Sequence, residues 1–152
     1  IRPRVATVHP AVTTKDLARK YPTVITIDRG GFALHLFKDL RPSKTYPIAV
    51  GAVGYDTPSG LYSITDKTVD PAWYVPNEAW AGDRAGTVVP GGSPDNPLKA
   101  RWLGFFAGRG IHGTADDASV GSAASHGCIR MHVSDVEQLY DLTPVGTPVY
   151  VA

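Results

Sequence analysis

One cysteine in 152 residues excludes an internal disulfide, so the fold has to be held by its own core, and the length is enough to build one domain with such a core. No apolar run approaches the roughly 20 residues that span a bilayer, and no charged-then-apolar signal segment precedes the fold. Neither sign of charge dominates: 15 Lys and Arg stand against 14 Asp and Glu, scattered along the chain. The sequence therefore carries no nucleic-acid footprint and no polybasic membrane patch. Repeats, heptads and low-complexity tracts are absent, and helix signals are few. The chain opens Ile1-Arg2-Pro3-Arg4-Val5 without a methionine, and is read as a processed piece of a longer precursor whose targeting segment has been removed. One free thiol is tolerated on either side of a membrane, so composition alone leaves the compartment open.

What is abundant is punctuation. Sixteen glycines and thirteen prolines separate short runs of Val, Ile, Thr and aromatic residues, the pattern of a mostly β domain. TVITID (23–28) and FALHLF (32–37) flank Arg29-Gly30-Gly31 as a hairpin, with Phe32, Leu34 and Leu36 expected on one face. KTYPIAVG (44–51), GLYSIT (60–65), RWLGFFA (101–107) and TPVYV (147–151) read as further strands. SDVEQLYDL predicts a helix with Ser134 as N-cap, Glu137 completing a capping box, an apolar stripe of Val136, Leu139 and Tyr140, and Pro144 and Gly146 beyond its end. A weaker helix near TKDLARKY would start at Thr14. Residues 66–97 are polar and rich in Pro, Gly, Asn and Trp, longer than a simple connection, and predict a lid or substrate-binding loop.

The chemistry concentrates in GIHGTADDASVGSAASHGCIRM (110–131), which holds Cys128 and, among its histidines, His112 and His126. A thiol attacks as thiolate, and its ordinary pKa near 8.5 leaves it mostly protonated at neutral pH unless a base helps. His112 is the candidate base, distant in sequence but able to meet the thiol across strands. Gly127 can take a tight conformation in which successive N–H groups, such as those of Gly127 and Cys128, point at one spot and form an oxyanion hole. Arg130, at strand spacing from Cys128, falls on the same side and suits a substrate carboxylate. Two other readings stand beside this one. Cys128 could be a small buried hydrophobe, or Cys128, His112, His126 and His132 could hold zinc, although their spacing fits no common structural site. His9, His35 and His132 read otherwise as structural or surface residues.

IHGT followed by SHGCIRM and then DVEQLY and VGTPVYV resembles the catalytic domain of the bacterial L,D-transpeptidases, cysteine enzymes that cross-link peptidoglycan. TPSGLYSI (57–64), DPAWYVP (70–76) and NPLKARWLGF (96–105) extend the resemblance, which covers about residues 23–151, with Ser59 where a threonine is common. It implies Cys128 as nucleophile, His112 as base, Gly113 as the residue whose carbonyl orients that base, and His126 and Gly127 as the frame of the motif. Arg130 would bind substrate, Ser125 and Thr114 would support the loop by hydrogen bonds, and Trp73 and Tyr74, with Trp80 near them, are candidates for the cleft wall.

The fold implied is mostly β, two packed mixed sheets in a sandwich-like arrangement, with one capped helix near the C-terminus and a long lid loop. Residues 1–22 would be an N-terminal leader segment and 23–152 the catalytic domain. The activity implied is acyl transfer through a Cys128 thioester, from a tetrapeptide stem that releases its terminal D-alanine to a neighbouring stem amine, giving a 3→3 cross-link. The resemblance calls for no metal and no cofactor. Its partners are peptidoglycan stem peptides, with carbapenem-type β-lactams as inhibitors and no nucleic acid; the chain is expected to be a monomer on the extracytoplasmic side of the membrane. An L,D-carboxypeptidase, a lipoprotein-anchoring variant, an inactive wall-binding module and a zinc-stabilised interaction domain remain as alternatives.

Overall fold

The computed structural model describes residues 11–152, so His9 lies outside the described residues. Helix α1 (Thr14–Lys20) is capped by Thr13 rather than by Thr14. The reason is the residue three positions on: Asp16 closes a reciprocal capping box with Thr13, whereas Thr14 would face Leu17, which has no polar group to offer.

Strands β1 (Thr23–Asp28) and β2 (Ala33–Lys38) form the expected hairpin, and their alternation buries Ile25, Ile27, Leu34 and Leu36 completely. Phe32 belongs to the turn, at φ 50°, yet still packs against the core. The run 44–51 divides into β3 (Arg41–Pro47) and β4 (Val50–Gly51). β5 (Gly60–Ser63), β6 (Asp66–Val69), β7 (Trp73–Tyr74) and β8 (Val88–Val89) follow, with a 3-10 helix at Ala79–Arg84 between the last two. The segment expected to be a lid thus begins as a strand of the body, because β6 pairs with β9 (Lys99–Phe106). β10 (Arg109–Thr114) returns from β9 through Ala107 and Gly108, both at positive φ, the geometry that a tight twisted hairpin demands. β11 (Ala123–Ser125), β12 (Ile129–His132), helix α2 (Val133–Leu142) and β13 (Pro148–Val151) complete the order.

Two mixed sheets carry the domain. One has the order β3-β2-β1-β13-β5 and is parallel at β1–β13; the other has the order β12-β10-β9-β6 and is parallel at β10–β12. A short parallel pair, β4–β11, and a ribbon, β7–β8, lie outside them. A single core joins Ile25, Ile27, Leu34 and Leu36 of the first sheet to Leu103, Ile111, Ile129 and Met131 of the second and to Val136 and Leu139 of α2.

Helix α2 does not begin at a Ser134 cap. Strand β12 runs straight into it, His132 is the N-cap without a side-chain cap bond, and Ser134 already lies in the first turn. Burial of Val136 and Leu139 against β9 and β10, rather than a capping box, holds the helix in place.

Candidate active site

The core positions the chemistry by alternation. Ile111 on β10 and Ile129 on β12 are fully buried and paired, so their neighbours His112 and Arg130, also paired, project from the opposite face. Cys128 sits in the turn just before β12, two residues from Arg130, and the Gly110 backbone favours negative charge on its sulfur through a hydrogen bond. His112 and Arg130 therefore share one face of two parallel strands, and Cys128 lies at the end of that face, within reach of the Gly110 backbone and the Arg130 charge. Gly113 is required here for space: a Cβ would lie 2.5 Å from the Lys99 carbonyl, colliding with the backbone of β9, and 3.0 Å from the Val136 side chain.

His112 is 4% exposed, and its Nδ1 lies 2.8 Å from the Gly113 carbonyl. A carbonyl only accepts, so Nδ1 carries the proton and Nε2 keeps its lone pair. Trp102, paired across β9, stacks loosely on the ring at 6.3 Å and is itself held by an indole N–H bond to Asp66 at 2.9 Å. Burial, reinforced by the Arg130 charge, lowers the His112 pKa to about 4 against the favourable Gly113 bond. Burial also raises Cys128 above its ordinary value, although Gly110, Arg109 and Arg130 pull the other way. Both shifts disfavour the thiolate–imidazolium pair and favour a neutral thiol and a neutral imidazole. Among the described residues no hydrogen bond joins the two side chains.

The low His112 pKa has a consequence for stability. The unfolded chain takes up this proton near pH 6.5, the folded one only near 4, so stability is full above 6.5 and falls as pH drops towards 4. At roughly 1.4 kcal/mol per pH unit the loss is about 3 kcal/mol. Urea unfolding at pH 7.5 and pH 4 should show wild type losing that much relative to His112→Gln; equal losses in both proteins would contradict the burial of a neutral imidazole.

The nucleophile turn is tied from both sides. Ser125 Oγ–H donates to the Cys128 carbonyl, and the same oxygen accepts the Gly127 N–H at 3.2 Å. The Gly127 N–H, one of the two oxyanion donors expected from sequence, is engaged here by the hydroxyl two residues back. Buried Thr57 donates to the Gly127 carbonyl, and Arg29 holds the Thr57 carbonyl at 2.8 Å and that of Ala152 at 3.0 Å. Gly127 has φ 112°, and a Cβ there would meet Arg109 Nε at 2.7 Å and the Tyr55 carbonyl at 3.2 Å. Thr114 serves the adjoining loop by accepting the Asp116 N–H at 3.1 Å.

His126 is covered by aromatics. Trp80 stacks on its ring at 3.8 Å and 4°, and Tyr55 meets it edge-on at 4.8 Å. Burial and Arg130 lower its pKa. Trp73 and Tyr74 occupy the β7–β8 ribbon instead, with Tyr74 75% exposed, and of the three expected cleft aromatics the one stacked on the motif is Trp80. Tyr55, Trp102, Thr57 and Arg109 are neighbours of the site that sequence reasoning missed; Thr57 alone had a signal, its place in TPSG. The zinc set is not assembled: among the described residues no group of three His, Cys, Asp or Glu converges, and His132 is bonded to Asp117 at 2.7 Å. His35 lies on β2 and bonds Thr45 at 2.9 Å. An open cavity of about 370 Å³ lies behind the turn, lined by Arg29, Phe32, Val50 and Thr57 among others, and neither Cys128 nor His112 borders it.

The family model of the YkuD L,D-transpeptidase catalytic domain matches residues 22–151. The chain belongs to this L,D-transpeptidase family. Two relatives named as L,D-transpeptidases, YqjB and YkuD of Bacillus subtilis, are 41% identical over 78% of the chain and 37% identical over 84%. The chain spans 64% and 65% of their respective lengths. Among solved structures, L,D-transpeptidase 3 from Mycobacterium tuberculosis, in complex with a faropenem-derived adduct, superposes with a TM-score of 0.70 at 18% identity, covering 86% of this chain and 60% of that one. At that identity the likeness is one of fold. Within the L,D-transpeptidase fold, the strands that carry His112 and Arg130 and the turn that carries Cys128 are those described above.

Proposed function

We propose that the chain transfers acyl groups between peptidoglycan stem peptides through a Cys128 thioester. The observation that carries this reading is the single free nitrogen of His112: Nδ1–H is committed to the Gly113 carbonyl, and Nε2 is left to accept a proton on the strand face at whose end Cys128 lies.

Because burial favours the neutral pair, the proton moves as the bond forms. Cys128 Sγ attacks the carbonyl that joins the third, diamino acid residue of a tetrapeptide stem to its terminal D-alanine, and Nε2 takes the thiol proton. The Cys128 N–H is the backbone donor for the oxyanion, since that of Gly127 is occupied. The imidazolium then protonates the departing D-alanine amine and a thioester remains. The side-chain amine of a neighbouring stem attacks it, His112 removes the amine proton and returns it to the sulfur, and a 3→3 amide is left. Arg130, beside both His112 and the thiol, binds a substrate carboxylate. Such stems lie outside the cytoplasmic membrane, and the stem-peptide reading carries with it an extracytoplasmic enzyme. The faropenem-derived adduct of the mycobacterial relative, and the complex of the L,D-transpeptidase LdtMt1 with the carbapenem imipenem, support β-lactams, carbapenems included, as inhibitors of this chain.

Incubation with a disaccharide-tetrapeptide, followed by mass analysis, tests the reading. The expected product is a dimer of two stems that has lost one D-alanine. Tripeptide alone would make the enzyme a carboxypeptidase, and unchanged substrate in the presence of folded protein would overturn the assignment.

A further inference from the structure

Residues 75–95 form an arm with few ties to the body. Among the described residues, their hydrogen bonds close within residues 71–99: Val75 with Thr87 and Gly86, β7 with β8, Asn96 with Pro71 and Pro90, and Lys99 with Ser93 and Pro94. Their ion pair, Arg84 with Asp95 at 3.9 Å, closes there too. From Asn77 to Arg84 every residue is exposed except Trp80 and Ala81. The contact that joins this part of the arm to the nucleophile turn is the Trp80–His126 stack, with Tyr55 against the imidazole edge. His126 lies two residues before Cys128, next to Ser125, whose hydroxyl bonds both the Gly127 N–H and the Cys128 carbonyl.

We propose that Trp80 is a specificity-determining latch: by stacking on His126 it holds the arm across the nucleophile turn and limits the access of water to the acyl-enzyme. This rests on the thioester reading above. A thioester attacked by an amine gives an amide and regenerates the thiol; attacked by water, it gives a free carboxylate and the same thiol. The two outcomes use one intermediate and one base, so their ratio is set by which nucleophile reaches the carbonyl. Solvent is present in great excess over any stem amine, and selection for the amine requires that the site be covered once the acyl group is on the sulfur. A flat stack between two rings suits a cover that must also open for substrate. Each ring keeps its shape when they part, and an aromatic contact of this kind biases an open–closed balance by up to about tenfold.

The test uses wild type, Trp80→Ala, Trp80→Leu and Trp80→Phe, with two readouts. In the first, disaccharide-tetrapeptide is converted and the ratio of hydrolysed tripeptide to cross-linked dimer is measured. In the second, iodoacetamide alkylation of Cys128 is timed by intact mass, which needs no substrate and so reads the latch even if the chain forms no cross-link. Trp80→Ala and Trp80→Leu are expected to raise both the hydrolysis ratio and the alkylation rate several-fold, up to about tenfold. Trp80→Phe, which keeps a ring to stack, should restore most of the difference. Trp80→Leu keeps apolar bulk and serves if the alanine variant does not fold. Alkylation and product ratio unchanged in folded Trp80→Leu, or Trp80→Phe behaving like Trp80→Leu, would overturn the latch. Absence of any product from wild type, with alkylation still rising in the variants, would instead count against the stem-peptide reading and leave the latch standing.

Discussion

Replacing Cys128 by serine is expected to leave the protein folded and to lower cross-linking on the order of 10⁴-fold or more. The substitution exchanges one atom in a half-buried position, so the core is untouched. The chemistry is what fails. His112 is held neutral by burial at a pKa of about 4, which makes it a weak base, and it can take a proton only from a group acid enough to release one as the bond to carbon forms. A thiol meets that demand even with its pKa raised; a hydroxyl does not. Circular dichroism would establish folding and product mass would measure turnover. Cross-linking by the serine variant comparable to wild type would remove Cys128 from its role. The same residue decides inhibition: a carbapenem should add one drug mass per chain to wild type and none to Cys128→Ala. Arg130→Ala should slow that acylation by about one to two decades, the value of a charge-assisted bond of about 1.5–3 kcal/mol made in the transition state.

The second large effect separates the two histidines of the motif. His112→Ala should lower acylation by about 10²–10⁴-fold, the usual contribution of a positioned base, whereas His126→Ala should cost far less, because that ring serves as the platform for Trp80 rather than as an acceptor of the thiol proton. In the double variant His112→Ala, Cys128→Ala the loss should equal that of Cys128→Ala alone, since groups that act as one unit do not lose activity additively. The pH profile adds an independent reading. With His112 neutral down to about 4, acylation by a carbapenem should hold its rate through weakly acidic pH and fall only as His112 is protonated. An inflection near 6.5 would mean that the base is an exposed imidazole, and equal losses for the two histidine variants would mean that the wrong ring has been named.

The strands that carry the core were legible because their period is local. In TVITID and FALHLF, alternate Ile and Leu residues announce which face is buried, and that alternation survives any arrangement of the sheets. Helix ends were less legible, because a cap depends on where helical backbone begins. Ser134 and Glu137 have the spacing of a capping box, yet β12 runs straight into the helix and the N-cap falls at His132, two residues too early for Ser134 to cap it.

The candidate site divides the same way. His112, Gly113, Ser125, His126, Gly127, Cys128 and Arg130 could be named from two short motifs, since residue type and spacing already limit their chemistry. Most of their neighbours could not. Trp80 was a candidate for the cleft wall and Thr57 had a signal in TPSG, but Tyr55, Trp102 and Arg109 come from separate segments, and nothing in their local sequence says that they meet around residues 112 and 126–128. Protonation was equally out of reach: a cysteine and a histidine in sequence suggest a charged pair, and only the burial of His112 between β9 and β12, together with that of Cys128, shifts the balance towards the neutral pair. What the sequence by itself determined is the chemical inventory and the family, because these reside in residue identity and short spacing. What the tertiary structure alone decided is which groups are buried, which backbone donors are already taken, and which aromatic covers the turn, because desolvation and long-range contact exist only once the sheets have packed.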